Sequence, residues 1–244
     1  MTLNQKLRSL QFINLFVSIA GLYYYGFSNL LLSYFVFILF CPIGISAGLH
    51  RYFTHKSYKT SKFWERTMLL LSVYATVGSS IAWVGVHRAH HTFTDKPYDP
   101  HSPKDSVFKA WTGLGHTETK IPVSFVKDLL RNPLHRTIHD NYFKILLIPV
   151  IVLFIYSPML GVFLYAIPAT LALQTTSIVN VLGHTHGYRN YNTDDLSSNS
   201  WIANVVSLGE GWHNNHHNRP SNYTLKEKSH EWDLIGVFIN RIKI

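Results

Sequence analysis

The chain has 244 residues, of which 47% are hydrophobic and only 14% are charged, and its formal net charge is +9. Soluble domains carry a charge on about a quarter of their residues. Here the charges avoid two long stretches, between Arg8 and Arg51 and between Lys144 and Arg189. This pattern excludes an ordinary soluble domain and a disordered chain. The single cysteine, Cys41, excludes an intramolecular disulfide framework and a Cys-x-x-Cys metal or redox motif.

The first uncharged stretch, at about 10–49, is long enough for two membrane crossings, because one crossing takes about 20 apolar residues. Gly, Ser and Asn at 26–29 mark the predicted turn between the two crossings. A signal peptide is disfavoured, since the stretch is too long and no small-residue cleavage site ends it. Gly44 and Gly48, one helical turn apart, predict a close helix-packing seam.

The next segment, 50–143, contains many Lys and Arg residues and is predicted to form a cytosolic cap. Its part 68–86 is apolar enough to suggest a further crossing, but Ser, Thr and Tyr residues lower its hydrophobicity. A crossing there would also place His50 and His87 on opposite sides of the membrane. We therefore predict a buried helix or one that lies in the membrane interface.

The second uncharged stretch, 145–182, again predicts two crossings, with a turn at Ser157 and Pro158. The remainder, 184–244, completes the predicted cap. Its part 201–211 is too short to cross a membrane. The end of the chain, 230–244, predicts a short amphipathic helix with apolar residues at helical spacing: Trp232, Ile235, Phe238, Ile239 and Ile242.

The charges also predict the topology. The two hairpin tips have none, whereas Lys6, Arg8 and the cap segments are basic, and basic segments stay on the cytoplasmic side. The prediction is an all-α integral membrane protein: four transmembrane helices in two hairpins and a cytosolic helical cap, in one domain over 1–244, with both termini cytoplasmic. The positive charge then lies beside anionic lipid headgroups. No nucleic-acid-binding module is recognisable, so no such partner is predicted.

Histidine is the most informative residue type, because nine of the 15 histidines fall in four groups and the pattern HxxHH occurs twice. The nine are His50, His55, His87, His90, His91, His184, His213, His216 and His217. Positions i, i+3 and i+4 share one face of a helix, so each HxxHH group could converge on one point. Neutral imidazole is a common metal ligand. Nine imidazoles exceed the needs of one ion, so we predict two ions with four or five ligands each.

The other six histidines are more typical of ordinary hydrogen-bonded side chains: His101, His116, His135, His139, His186 and His230. Asn180 lies four residues before His184, on the same predicted helix face. An amide in an apolar crossing is costly unless it is paired, which favours a functional role for Asn180.

Four motifs in this order, HxxxxH, HxxHH, Asn-x-x-x-His and a second HxxHH, resemble the integral-membrane fatty acyl desaturases. The similarity is greatest to the Δ9 branch, which includes acyl-CoA and bacterial acyl-lipid enzymes, and it extends over about 34–238. Supporting features are Gly48-Leu49-His50-Arg51, Trp83, Asp99-Pro100-His101-Ser102, Gly187-Tyr188-Arg189 and Gly209-Glu210-Gly211-Trp212-His213.

The resemblance implies a di-iron centre (Fe2+/Fe3+) on the cytosolic side, held by the nine histidines and by Asn180 through a water molecule. O2 would be the co-substrate, and a saturated acyl chain on CoA or on a lipid would receive a cis double bond, at Δ9 in the branch that this chain resembles. No catalytic side chain beyond the metal centre is implied. Candidate walls of the acyl tunnel are Trp83, Tyr34 and Ile38, for which ordinary apolar packing is the alternative.

Two further expectations follow from the resemblance. Gly85-Val86 stands where animal acyl-CoA enzymes have an Arg-Asp pair that contributes to CoA recognition, and this favours a lipid carrier. The chain has no Cys cluster and no His-Pro-Gly-Gly haem segment. Electrons are therefore expected from an external ferredoxin, rubredoxin or cytochrome b5 that docks on the basic face.

Two alternatives remain open from the sequence. A membrane di-iron hydroxylase or ketolase shares the metal ligands, but such enzymes usually begin with HxxxH, whereas His50 to His55 is HxxxxH. A metal-binding or transport protein is the less favoured alternative, because transporters place ligands near the bilayer midplane and most of these histidines follow the predicted crossings.

Overall fold

The computed structural model describes residues 3–113 and 121–244, and this part of the chain is helical with no β-strand. The helices of the first half are α1 (Leu3–Tyr25), α2 (Leu30–Thr54), α3 (Lys62–Tyr74), α4 (Ser80–Phe93) and α5 (Val107–Thr112). Those of the second half are α6 (Lys127–Leu130), α7 (Pro133–Asp140), α8 (Tyr142–Tyr156), α9 (Pro158–Leu182), α10 (Trp201–Ser207), α11 (His213–Asn218) and α12 (Leu234–Ile242).

Helices α2 and α9 are each long and apolar enough to cross a membrane, and α7 with α8 adds a third candidate if this pair, bent by 62°, counts as one span. Helix α1, predicted as the first crossing, does not pass the same test of length and composition. The turns lie where the sequence predicted them. Helix α1 ends at Tyr25 and α2 begins at Leu30, while Ser157 separates α8 from α9 and caps the latter.

Helix α1 has an inverted distribution of polarity. Its polar residues Gln11, Asn14 and Ser18 are buried, whereas its exposed residues include Phe12 and Phe16. Gln11 Nε2 donates to the carbonyl of a neighbouring turn at 2.7 Å, and Asn14 and Ser18 contact side chains of α9. A helix in lipid satisfies its polar groups internally and presents its apolar side outward, which is the pattern of α1.

The inner half of α2 widens from α-helical to π-helical turns over Leu39–Thr54. Pro42 lies inside this part and has no backbone N–H to donate to the preceding turn. Wide turns of this kind concentrate at functional sites. Here they end in the first histidine motif, since His50 lies in the last turns and His55 follows directly.

The stretch 68–86 is not one helix, which corrects the prediction. It is divided between α3 and α4 by a turn in which Thr76 and Gly78 adopt positive φ angles of 58° and 101°. Ser79 then caps α4 by accepting a hydrogen bond from the backbone N–H of Ala82. The break redirects the chain so that α4 brings the first HxxHH motif beside the end of α2.

The predicted glycine seam is confirmed. A Cβ atom on Gly44 would come within 2.8 Å of the backbone N of Ser72, and one on Gly48 within 2.9 Å of Met68 Cβ. The two glycines therefore allow α2 and α3 to approach closely. This contact borders the main apolar core, which α2, α3, α4, α8 and α9 share.

The segment after α9 contains the short helices α10 and α11 and the final helix α12. Asp233 caps α12 by accepting a hydrogen bond from Gly236 N at 2.7 Å. The apolar side of α12, including Ile235 and Ile239, packs beside α2. The predicted amphipathic helix at 230–244 is thus present, but it begins only at Leu234.

Candidate metal centre

The nine predicted histidines lie together in two groups. The five-histidine cluster consists of His50, His55, His87, His91 and His216, and the four-histidine cluster consists of His90, His184, His213 and His217. Within each cluster one nitrogen from every ring lies within 4.8 Å of the others. The clusters are adjacent, since the rings of His91 and His217 stack with centroids 4.5 Å apart.

Each HxxHH motif contributes to both clusters, which differs from the prediction that its three rings converge. On α4, His87 and His91 belong to the five-histidine cluster and His90 to the other. On α11, His213 and His217 belong to the four-histidine cluster and His216 to the five-histidine cluster. The reason is the helical repeat: positions i+3 and i+4 differ by about 100° around the axis, so their rings point to different centres.

The ring nitrogens approach one another as ligands of one ion would. In the five-histidine cluster, His216 Nε2 lies 3.0 Å from both His50 Nε2 and His91 Nε2. In the four-histidine cluster, His213 Nε2 lies 3.1 Å from both His184 Nε2 and His217 Nε2. Two nitrogens bound to one metal at about 2.1 Å and at right angles are about 3.0 Å apart.

Buried carboxylates accept a hydrogen bond from the opposite nitrogen of four rings. In each pair the histidine Nδ1 faces a carboxylate oxygen: His50 and Glu210 at 2.8 Å, His90 and Asp99 at 2.9 Å, His184 and Asp95 at 2.9 Å, and His217 and Asp195 at 3.0 Å. A neutral imidazole has one N–H. If Nδ1 donates it, Nε2 presents a lone pair to the cluster centre, and several such lone pairs face one another. This arrangement fits a metal cation and the usual carboxylate support of its ligands.

The electrostatics keep the rings neutral. Burial lowers the pKa of His87, His90, His213 and His216 well below the usual 6.5, and neighbouring imidazoles lower it further. Burial also raises the pKa of Asp99 to about 6, which leaves it ionised above neutral pH. Neutral imidazoles and ionised carboxylates are the forms that metal binding requires.

Asparagine side chains fix the second HxxHH motif. Asn199 Oδ1 accepts hydrogen bonds from the backbone N–H groups of Asn214 and Asn215, which begin α11. Asn215 Nδ2 donates to Glu231 Oε2 at 2.9 Å. Asn214 Oδ1 accepts from the backbone N–H of Tyr191 at 2.8 Å. These buried amides hold a helix of only six residues, which would not be stable alone.

A cavity of about 350 Å³ leads to the two clusters. It is lined by α1, α2, α4, α5 and α9, and it reaches His50, His87 and His213. Most of its exposed wall is apolar. Trp83 lies where the cavity meets the five-histidine cluster and stacks on His87 with centroids 4.9 Å apart. Cavities of this size hold small molecules or part of a longer chain.

Besides the nine histidines and Trp83, the sequence predicted three site residues, of which only Asn180 lines the cavity. Asn180 lines the cavity on α9, in the same wall as His213. Tyr34 and Ile38 do not line it: Tyr34 is exposed on the outer side of α2, and Ile38 borders a small separate cleft against α12. The side of α2 that faces the cavity instead presents Cys41, Ile45 and Ser46, nearer to His50.

His101, predicted as an ordinary hydrogen-bonded histidine, lies beside the four-histidine cluster. It is buried, lines the cavity and stacks on His90 with centroids 4.1 Å apart. With His90 and Asp99 it forms a third group of potential ligands. The chain turns back onto α4 around Asp99 and Pro100 and so brings His101 beside His90, which sequence spacing alone does not reveal.

The other described histidines lie outside both clusters. His135 and His139 pair with the hydroxyls of Ser80 and Ser79, at 2.7 and 2.6 Å. His186 is exposed, and His230 contacts Tyr188. His116 lies outside the described residues.

The supporting carboxylates are the functional residues that sequence reasoning missed. In the sequence, Asp99 and Glu210 stand out only as neighbours of the histidine motifs, and no pattern distinguishes Asp95 and Asp195. The sequence contains one usable signal. The chain has only 13 acidic residues; Asp95 and Asp99 follow the first HxxHH motif closely, Glu210 precedes the second, and Asp195 lies between His184 and His213. Arg51 was likewise noted only beside His50, although it is buried and joins Glu210 to Asp233.

Comparisons with known proteins agree with this geometry. A family model described as fatty acid desaturase matches residues 25–228. The sn-1 stearoyl-lipid 9-desaturase of Anabaena variabilis is 35% identical over 185 residues, or 72% of this chain and 66% of the relative. The sn-2 palmitoyl-lipid 9-desaturase of Nostoc sp. (strain 36) is 35% identical over 215 residues, or 81% and 72% of the two chains.

A third relative, the acyl-CoA C20 Delta5-desaturase of Anemone leveillei, is 30% identical over 181 residues, or 71% of this chain and 58% of the relative. The match therefore covers about two thirds of the length of these relatives. The residues matched by the family model, 25–228, include all nine clustered histidines. The chain belongs to the fatty acid desaturase family.

Proposed function

We propose that this chain is an O2-dependent fatty acyl desaturase that introduces a cis double bond, at the Δ9 position, into a saturated acyl chain carried on a lipid or on CoA. The main observation is the pair of histidine clusters at the end of an apolar cavity. The balanced reaction converts –CH2–CH2– and O2, with two electrons and two protons, into –CH=CH– and two water molecules.

The nine histidines would hold two iron ions, five ligands in one cluster and four in the other, and Asn180 would hold a ligand water. The convergent Nε2 atoms and the buried carboxylates behind them support this assignment. When bound, the iron pair supplies the oxidising power, drawn from O2, that removes hydrogen from an unactivated methylene, which no amino-acid side chain can do.

The protein residues position the acyl chain. Ile45 on α2, Trp83 on α4 and Val179 on α9 line the cavity and can hold a methylene chain beside His87. Fixed placement restricts the reaction to one pair of carbon atoms and converts a random encounter into an oriented one. The apolar wall also excludes water from the reacting carbons.

The carboxylates act on the ligands. Because Asp95, Asp99, Asp195 and Glu210 each accept an imidazole N–H, they fix the tautomer and the orientation of four rings. The other five rings depend on packing and on the helices that present them. Arg51 in turn holds Glu210 in place with a contact of 3.0 Å.

We further propose four membrane crossings in two hairpins, α1 with α2 and α8 with α9, in a single domain. The inverted polarity of α1 supports its placement in lipid although its composition is mixed. The distribution of Lys and Arg supports a cytoplasmic location for both termini and for the metal centre. Electrons would come from a ferredoxin, a rubredoxin or cytochrome b5 on that side.

The test is the fatty acid composition of a host that expresses the chain, measured by gas chromatography and mass spectrometry with localisation of double bonds. We expect a new monoene with the wild-type chain and none with His91→Ala. His186→Ala is the matched control, since this exposed ring lies outside both clusters and the variant should retain the product. A hydroxy acid in place of the monoene would favour the hydroxylase alternative and contradict the proposal.

A further inference from the structure

The two clusters differ in their contacts with carboxylates. Three of the four rings in the four-histidine cluster donate Nδ1–H to an aspartate: His90 to Asp99, His184 to Asp95 and His217 to Asp195. In the five-histidine cluster only one ring has such a contact, His50 with Glu210. Within the described residues no other clustered histidine contacts a carboxylate.

The surroundings of these carboxylates differ in charge as well. The aspartates are held by neutral donors: Asp95 accepts from Ser102 Oγ and Leu196 N, Asp99 from the backbone N–H groups of Asp95 and His101, and Asp195 from Thr193, Ser197 N and Ser197 Oγ. Neutral donors leave a full negative charge in place, and the exposed Arg189 guanidinium next to Asp195 donates to its backbone carbonyl, not to its carboxylate.

Glu210, in contrast, faces a cation. Arg51 donates to Glu210 Oε1 from Nε at 3.1 Å, and its side chain is only 1% exposed. The same guanidinium binds Asp233 at 2.7 Å, so it is shared between two acids. The five-histidine cluster therefore has one carboxylate, and that carboxylate is partly neutralised.

A carboxylate behind an imidazole makes the ring a stronger electron donor, and buried charges are poorly screened. Both effects stabilise the more positive state of a bound ion. The fifth ring of the five-histidine cluster is a neutral ligand and adds no charge. The charge difference of about two carboxylates therefore favours higher positive charge at the four-histidine cluster.

Resting on the proposed function, which places iron in both clusters, we propose that the two iron positions are electrochemically unequal. The ion in the four-histidine cluster has the lower Fe3+/Fe2+ reduction potential and is oxidised first. In that step one electron passes from Fe2+ to an electrode through a mediator. The carboxylates stay ionised and the rings keep their Nδ1–H, so no bond changes.

The experiment is a mediated redox titration of the full chain, loaded with iron in detergent and followed by Mössbauer spectroscopy. Asp195→Asn and Glu210→Gln are matched variants, since each neutralises one carboxylate without changing its shape. We expect two separated one-electron steps in the wild-type protein. Asp195→Asn should raise the lower potential, and Glu210→Gln should raise the higher one and leave the lower in place.

Iron affinity gives a second measurement. Loss of such a carboxylate typically weakens metal binding by about 10- to 100-fold. We expect Asp195→Asn to weaken one of the two Fe2+ sites by that factor, in competition with a chelator. Asp99→Asn acts on the same cluster and serves if Asp195→Asn does not fold.

The outcomes separate the two proposals. Coincident potentials in the wild-type protein, or a lower potential that responds to Glu210→Gln and not to Asp195→Asn or Asp99→Asn, overturn this inference alone. A wild-type chain that binds no iron overturns the proposed function and this inference with it.

Discussion

Two buried polar regions of this molecule satisfy their polar groups in opposite ways. The helix polar network, formed by Gln11, Asn14, Ser18, Thr76 and Tyr165, is closed. Its amides and hydroxyls form hydrogen bonds with one another and with the backbone carbonyls of Asn14 and Thr76, between α1, α9 and the turn before α4. The histidine centre is open, because nitrogen atoms there face one another across about 3 Å.

The comparison distinguishes a structural network from a functional one. Hydrogen bonding completes the helix polar network, so it needs nothing further. The histidine centre has buried nitrogens without a hydrogen-bond partner in its described part, including His55 Nε2 and His90 Nε2. Such groups are costly in an apolar interior unless a cation or a donor binds them. The difference identifies which of the two regions requires a ligand.

The largest expected effect comes from removing a ligand of the open region. We expect His184→Ala to lose one of two iron ions and to form no monoene, because His184 is one of only four rings in its cluster. Iron analysis of the purified protein, together with product analysis, measures both. Asn14→Leu in the helix polar network is the control and should keep both ions. Full iron content in His184→Ala would contradict the ligand assignment.

Iron removal should lower stability. Without the cation the Nε2 lone pairs of the clusters face one another, so we expect chelation to lower the thermal midpoint of the wild-type protein in detergent and iron addition to restore it. Asn14→Leu should show the same response to chelation, since the helix polar network binds no metal. A thermal midpoint that is insensitive to chelation would contradict the distinction between the two regions.

The metal-free protein should also be sensitive to acid. The pKa values of His87, His90, His213 and His216 are lowered in the folded state, mainly by burial. The unfolded chain binds these protons near pH 6.5, so the free energy of unfolding should fall as the pH is lowered below about 6.5. Thermal midpoints of chelated protein at about pH 7.5 and about pH 5.5 test this. An equal midpoint at both would contradict it.

A smaller effect is expected where the cavity meets the clusters. Trp83 forms part of the cavity wall and stacks on His87. Trp83→Ala should lower kcat/KM by about tenfold or more through misplacement of the acyl chain, with both iron ions retained. Trp111→Ala, at the exposed rim of the same cavity, is the comparison and should have less effect. Loss of iron from Trp83→Ala would instead indicate a structural role.

The smallest effect belongs to the helix polar network itself. Asn14→Leu removes a 3.2 Å hydrogen bond to Tyr165, which keeps a contact with Thr76. Hydrogen bonds between membrane helices average about 0.6 kcal/mol and reach about 1.7 kcal/mol. We expect a loss of stability in this range from unfolding measurements in detergent, and unchanged iron content. A loss of iron would show that the two regions are not independent.

Much of the centre could be predicted from sequence because its signal is local. Histidines at i, i+3 and i+4 mark a helix face, and the nine predicted rings make up the five-histidine and four-histidine clusters. The division of each HxxHH motif between two clusters follows from helix geometry, so it can also be predicted from the sequence. The helix boundaries near Tyr25 and Ser157 were likewise marked by turn residues.

The remaining features depend on tertiary contacts. Asp95 and His184 are 89 residues apart in the chain, and Arg51 and Asp233 are 182 apart. No local spacing predicts such pairs. The break between α3 and α4 was missed because the apolar pattern continues across it, while Thr76 and Gly78 turn the backbone. Tyr34 is a candidate for the tunnel wall by its place on the second predicted crossing, but its side chain is exposed and does not line the cavity.

The proposal that the nine histidines hold two iron ions can be tested on the purified full chain. The measurement is the iron content combined with X-ray absorption spectroscopy at the iron edge. We expect two iron ions per chain and imidazole nitrogen as the main type of iron ligand. A content of one ion or none after reconstitution with Fe2+, or a first shell without imidazole, would contradict it.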